Sequence, residues 1–164
     1  MKKYFVLIFL SLISFHPFAQ KKKNLTGDKS LEINKNISDS ALLDLVQKQT
    51  FKYFWDFADP ISGMARERSN QGNDYGSEVA ATGGTGFGIM SIIVAANRNW
   101  IVRDSAIDRL LKLVRFLYKS DKYHGAFPHW LNGGTGKTIP FSLQDDGGDL
   151  VETAYLFQGL LCAR

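Results

Sequence analysis

Gly86-Phe87-Gly88-Ile89-Met90-Ser91-Ile92-Ile93-Val94-Ala95-Ala96-Asn97 is the stretch that decides the fold class. Wound as a helix, it puts Phe87, Ile89, Met90, Ile92, Ile93, Val94, Ala95 and Ala96 on every side and leaves no polar face. A helix apolar all round is a buried one. This one falls short of the ~20 residues needed to cross a bilayer, so the chain must bury it with other elements.

The neighbouring segments supply those elements. From about Asp104 to Lys119, Ile107, Leu110, Leu111, Val114 and Leu117 form one apolar stripe. Arg103, Asp108, Arg109, Lys112, Arg115 and Lys119 take the other side, which describes a surface helix. A further helix starts near Asp149 and is again apolar nearly all round, through Leu150, Val151, Ala154, Tyr155, Leu156, Phe157, Leu160, Leu161 and Cys162. Upstream, Ser38-Asp39-Ser40 offers N-cap residues to a helix running to about Ala58, where Asp59-Pro60 stops it.

The last three helices thus read buried, surface, buried. Inner helices ringed by outer ones give this alternation, whereas an ordinary bundle is built from half-buried helices. The expected class is all-α, as the amino-terminal part of a two-layer α/α toroid. Gly-rich loops precede both inner helices: Thr82-Gly83-Gly84-Thr85-Gly86 and Asp145-Asp146-Gly147-Gly148. Inner helices of such a toroid run roughly parallel with their N-termini at one end, so both loops are expected to border one cavity. Between the helices lie a long loop, Asp59 to Gly83, and a small β-hairpin insertion within Tyr123 to Leu143, whose arms, Phe127 to Leu131 and Thr138 to Phe141, flank Asn132-Gly133-Gly134-Thr135-Gly136 and carry Pro128 and Pro140.

The beginning of the chain has a different character. Met1-Lys2-Lys3 is basic, Tyr4 to Phe15 is apolar apart from Ser11 and Ser14, and Ala19 is a small residue suited to a cleavage position. This is the pattern of a secretory signal peptide, residues 1–19, too short for a membrane anchor. Residues 20–37 are rich in Lys, Asn, Ser and Asp and read as a flexible linker ahead of the domain at 38–164. The expected location is periplasmic or extracellular, with no stable membrane anchor after cleavage. The helical run from Leu150 reaches Arg164 with no stop signal after it, so the domain reads as incomplete, a truncated sequence.

Composition narrows the function classes. The net charge of +4 includes Lys2 and Lys3, so the mature chain does not call for a polyanionic partner, and no nucleic acid is expected. Cys162 is the sole cysteine, which excludes disulfides within the chain. Its neighbours are apolar apart from Arg164, an environment that does not activate a thiol.

The chemistry-bearing constellation is Asp145-Asp146-Gly147-Gly148-Asp149-Leu150-Val151-Glu152. Glycoside hydrolysis takes one carboxyl to donate a proton and another to activate water, an inverting pair standing ~6.5–9.5 Å apart. Asp149 and Glu152, three apart, share one helix face, and Asp145 reaches the same space from the loop. Mutual repulsion among the four carboxylates should raise some proton affinity, as an acid catalyst needs. The same spacing is a capping box, and helix caps are far commoner than catalytic pairs. The helix dipole lowers carboxylate pKa there. An Asp-rich turn also suits Ca²⁺, but the alternating ligands of an EF-hand are absent.

Other motifs fail on spacing. A phosphate loop ending at Gly136-Lys137-Thr138 would need a glycine at Leu131, and Pro140 blocks the following helix. Gly84 and Gly86 would need a glycine at Ile89 to form a dinucleotide fingerprint. His124 and His129 have no third ligand at metal spacing, so no metal and no cofactor is expected. Trp130 is the best candidate for stacking on a sugar, since a loop tryptophan beside Pro128 is hard to bury.

Four stretches resemble the bacterial glucoamylase-like domain family, which includes the endo-β-1,2-glucanases of glycoside hydrolase family 144. They are Phe51-Lys52-Tyr53-Phe54-Trp55-Asp56, Ala81-Thr82-Gly83-Gly84-Thr85-Gly86-Phe87-Gly88, Tyr123-His124-Gly125-Ala126-Phe127-Pro128-His129-Trp130 and Asp145-Asp146-Gly147-Gly148-Asp149-Leu150-Val151-Glu152-Thr153. The resemblance covers about Ala41 to Arg164. It implies an (α/α)₆ toroid and an inverting, metal-independent attack on a glycan in an acidic cleft, with Asp145, Asp149 and Glu152 as catalytic carboxylates. Thr82, Gly84, Thr85, His129, Trp130 and Asp146 are the candidate substrate-binding residues. The expected function is hydrolysis of a glucan, with a β-1,2 linkage the expected one, by a monomer whose partner is an oligo- or polysaccharide. The alternatives are a toroid that binds glycan without cutting it and an inactive fragment.

Overall fold

Thr82 opens a helix rather than a loop. In the computed structural model, which describes residues 36–69 and 76–164, α2 spans Thr82–Asn97 and takes Gly83, Gly84 and Gly86 into its first turns. This corrects the expected start at Gly86. The helix is preceded by a strand, β1 (Val79–Ala81), inside the stretch expected to be a long loop. The signal peptide and residues 20–35 of the linker lie outside the described residues.

The other elements follow the sequence with adjusted ends. Helix α1 (Asp39–Trp55) is capped by Ser38, whose hydroxyl accepts the amide of Ala41 at 3.3 Å. It stops three residues short of Ala58. The Asp59 carboxylate, instead of following a helix end, organises its own turn by accepting the amides of Ile61 and Ser62 at 2.9 and 2.8 Å. Helix α3 spans Arg103–Lys119 and α4 spans Leu150–Ala163. The expected hairpin exists as β2 (Trp130–Asn132) and β3 (Thr138–Ile139), with both prolines outside the paired residues. β1 pairs antiparallel with β2, Ala80 opposite Leu131, so the hairpin becomes a three-stranded sheet in the order β1-β2-β3. The architecture is therefore helix-rich, as expected, with an antiparallel sheet one strand larger than the expected hairpin.

Helices α2 and α4 make the closest contact in the described chain. Gly86 and Gly159 meet there without side chains: a Cβ on Gly86 would stand 2.1 Å from the Tyr155 carbonyl oxygen, and one on Gly159 would stand 2.4 Å from the Gly86 oxygen. Glycine is required at both positions because backbone touches backbone. Gly83 faces Glu152 and Gly86 faces Tyr155 and Gly159, so positions advance together along the two helices. The helices run parallel with their N-termini at one end, as the sequence reading inferred.

Two apolar clusters support this pair. One joins Met64, Ala80, Ile89, Leu113, Leu117, Phe127, Leu131 and Leu156, drawing on α2, α3, α4 and the sheet. The other joins Phe51, Ile92, Ala95 and Ala106. On α3 the buried line is Ala106, Leu113 and Leu117, while Ile107, Leu111 and Val114 of the expected stripe are exposed. The stripe was misplaced because its three outward residues are apolar too. Neither α2 nor α4 is buried all round: Phe87 and Val94 are exposed on one, and Leu150, Val151, Tyr155, Phe157 and Leu161 on the other. No described helix is long and apolar enough to cross a membrane.

Candidate active site

The N-termini of α2 and α4 are tied together by one extended segment, Phe127-Pro128-His129. The Phe127 amide donates to the Thr153 hydroxyl at 2.8 Å, and the Phe127 carbonyl accepts the Asp149 amide at 2.8 Å. The Pro128 carbonyl accepts the Thr82 hydroxyl at 2.6 Å, and the His129 carbonyl accepts the Thr82 amide at 3.1 Å. Every polar backbone group must find a partner when buried, and here both helix starts supply them. The segment is thereby held against both helices over successive residues.

Asp149 is the N-cap of α4. Its Oδ1 accepts the amides of Val151 and Glu152 at 2.9 and 3.0 Å, as the Asp-x-x-Glu spacing predicts. Its Oδ2 lies 2.8 Å from His129 Nδ1. Burial acts to raise the Asp149 pKa, but the Glu152 amide, the His129 ring and the Val151 amide together hold it below the ordinary carboxylate value. The expected rise in proton affinity does not occur at this residue, because its donors together outweigh burial. An ionised Asp149 can only accept, so the proton in this contact sits on His129 Nδ1.

Glu152 does not close the capping box. Its Oε2 turns away from α4 and accepts the amide of Gly83 at 2.7 Å, in the first turn of α2. That helix begins after Ala81, which has no side-chain cap, so a carboxylate from the neighbouring helix supplies one. A Cβ on Gly83 would stand 2.7 Å from the same oxygen.

Asp145 completes the carboxylate group from the loop before α4. A tight turn holds it, the Asp145 carbonyl accepting the Phe141 amide at 3.0 Å. Donor atoms of His129, Asp145 and Asp149 lie within 4.8 Å of one another, and among the described residues this is the trio able to surround a cation. A cation there would have to displace the existing bond between His129 and Asp149.

Beside the carboxylates is an aromatic surface. Phe141 lies tilted against His129 with centroids 4.2 Å apart and against Trp130 at 4.9 Å, and Trp130 meets His129 edge-on at 5.5 Å. Phe141 is half exposed, whereas Trp130 is half-buried. Sequence reading assigned Phe141 only to a hairpin arm. The signal was its place four residues before Asp145, meaningful only once the turn between them is known.

The remaining candidates divide. Asp146 is exposed at the same end of the fold. Thr82 and Thr85 are buried, with their hydroxyls donating to the Pro128 and Ala81 carbonyls at 2.6 and 2.7 Å. The Thr85 oxygen also accepts the Ala65 amide at 3.1 Å. Gly84 packs towards Ala81 and Ala65. These three residues hold the start of α2 and do not line an open loop, since that loop is helix.

Known proteins are similar to this chain in sequence and in backbone structure. No family model matches the chain. The exo β-1,2-glucooligosaccharide sophorohydrolase (non-reducing end) of Parabacteroides distasonis is 50% identical over 129 residues, covering 78% of this chain and 17% of its own length. The solved endo-β-1,2-glucanase of Chitinophaga pinensis, in complex with sophorotriose and glucose, superposes with a TM-score of 0.74 at 50% identity over 77% of this chain and 31% of that one. A candidate glucoamylase from Bacteroides uniformis superposes at 0.73 with 56% identity, over 79% of this chain and 31% of that one. The chain thus spans about a sixth of the length of the curated relative and under a third of these solved ones.

Proposed function

We propose, on the premise that the chain is a homologue of the glucoamylase-like β-1,2-glucan hydrolases, that it forms one wall of a glucan-hydrolysing active site. The observation that carries this reading is the joint placement of Asp145, Asp149 and Glu152 at the shared N-terminal end of α2 and α4, beside Trp130 and Phe141. Carboxylates supply acid, base or electrostatic help at the glycosidic bond, and exposed aromatic faces suit the apolar faces of a sugar ring.

The three carboxylates differ in what they can do. Asp149 is held ionised by its donors, so it orients or stabilises and does not donate the proton. Asp145 and Asp149 bring oxygens within 4.8 Å, closer than the ~6.5–9.5 Å of an inverting pair. They therefore act on one side of the bond, and inversion, which the family resemblance implies, requires a carboxyl across the cleft. Relatives are several times longer than this chain, and the full-length protein would supply that group. An (α/α)₆ toroid would also cover the exposed apolar faces of α2 and α4. The 164 residues alone are then expected to release no sugar. The substrate is a β-1,2-glucan, met outside the cytoplasm after cleavage behind Ala19.

The test is single substitution in the full-length protein: Asp145→Asn, Asp149→Asn and Glu152→Gln, assayed for reducing ends released from β-1,2-glucan. Each is expected to lower the rate by orders of magnitude while circular dichroism stays native. Near-normal rates in all three would sink the reading. Glycan binding by the unaltered protein with no reducing ends formed would favour a binding toroid. Amino-terminal sequencing of the exported protein checks the cleavage site.

A further inference from the structure

We infer that His129, first read as a sugar contact, is a positioning residue: its ring holds the Asp149 carboxylate in one orientation towards the substrate. This rests on the reading of Asp149 as part of a glycan-cleaving site.

The geometry makes the ring a fixed strut. His129 sits in the segment clamped between α2 and α4, its carbonyl bonded to the Thr82 amide at 3.1 Å and the preceding carbonyl to the Thr82 hydroxyl at 2.6 Å. Its ring is braced by Phe141 at 4.2 Å and by the edge of Trp130 at 5.5 Å. From that mount Nδ1 reaches Asp149 Oδ2 at 2.8 Å. Two amides already fix Oδ1, at 2.9 and 3.0 Å. With both oxygens bonded, the carboxylate cannot turn about its last bond. Because the carboxylate is planar, rotation about Cβ–Cγ moves both oxygens together, and the ring on Oδ2 is a second anchor against that rotation beside the two amides on Oδ1. Catalysis is sensitive to such placement, a misplacement of about 1 Å costing on the order of 10²-fold. The charged neighbours are Asp145, from the turn, and Asp149, from the start of α4.

The experiment compares His129→Ala and His129→Asn in the full-length protein, with kcat and KM measured on β-1,2-gluco-oligosaccharides. The alanine variant is expected to lose on the order of 10²-fold in kcat with KM within about twofold. Asparagine can place an N–H near the position of Nδ1, and should recover at least about a tenth of the lost rate. A raised KM at unchanged kcat would make His129 a sugar contact and overturn the proposal. So would activity lost on chelation and restored by a divalent cation, which would make it a ligand. A readout free of activity uses ¹⁵N-histidine spectra of the unaltered protein and of Asp149→Ala. The Nδ1-protonated signal of His129 should be present in the first and altered in the second; an unchanged signal would refute the contact. If the unaltered full-length protein releases no reducing ends while that signal behaves as expected, the hydrolase reading fails and the contact stands; full activity of Asp149→Asn would instead overturn the positioning role.

Discussion

Glu152 Oε2 accepts the backbone amide of Gly83 at 2.7 Å, so a carboxylate on α4 closes the N-terminus of α2. The two residues are 69 positions apart, and no side chain at Ala81 could do this work locally. One bond therefore joins a candidate catalytic group to the packing of the two central helices.

Glu152 should consequently matter to stability as well as to turnover. Losing a cap costs about 1 kcal/mol, and Glu152→Ala is expected to lower the unfolding free energy of the full-length protein by about that much. Glu152→Gln keeps an acceptor and should lose less stability, yet still lose activity. Urea denaturation beside reducing-end assays separates the two effects. Gly83→Ala would push the carboxylate off its amide and should resemble Glu152→Ala in stability.

Gly86→Ala tests the helix crossing. The added methyl would lie 2.1 Å from the Tyr155 carbonyl oxygen, a contact relieved only by separating α2 from α4. Overpacking of this kind costs ~1–3 kcal/mol or more. The expected outcome is a lower melting temperature and poor soluble yield. A melt within a degree or two of the unaltered protein would show that the crossing is looser than described.

Acid sensitivity should follow Asp149. Its pKa is depressed in the folded state, so its contribution is fully present above the unfolded value, about 3.9, and is lost as pH falls through the folded value. Asn still caps a helix but does not titrate. The stability gap between the unaltered protein and Asp149→Asn should therefore shrink as pH falls below about 4. Asp121, depressed chiefly by the Thr138 amide and then by Lys137, adds acid sensitivity common to both proteins. A gap that stays constant would refute the assignment.

Phe141→Ala probes the aromatic surface. Phe141 is 49% exposed, so its removal should hardly change stability. If a sugar ring stacks on it, the loss of about 0.5–1.5 kcal/mol should raise KM by roughly two- to tenfold. Trp130→Ala is expected to cost both KM and stability, because Trp130 lies within β2 and is half-buried.

Local chemistry made part of this legible in advance. The Asp149 cap follows from Asp-x-x-Glu ahead of an apolar run, since a cap is satisfied within four residues. The Asn132-to-Gly136 turn likewise announced the hairpin. The start of α2 was not legible: three glycines within five residues favour a loop by propensity. They are helical because Thr85 bonds back to Ala81, Glu152 caps the turn, and α4 leaves no room for side chains.

By itself, then, the sequence determined the four helices, the parallel inner pair, the capping of α4 and the kinship with β-1,2-glucan hydrolases. The helices and the cap rest on periodicity and short-range hydrogen bonding, which neighbours along the chain carry; the parallel pair follows from the toroid those helices imply, and the kinship from whole stretches that resemble a known family. Only the tertiary structure decided that β1 joins the hairpin, that Glu152 serves α2, that His129 bonds Asp149 and that Phe141 flanks Asp145. Such relations depend on which backbone amides and faces are left unsatisfied once the helices pack, and no local spacing encodes that.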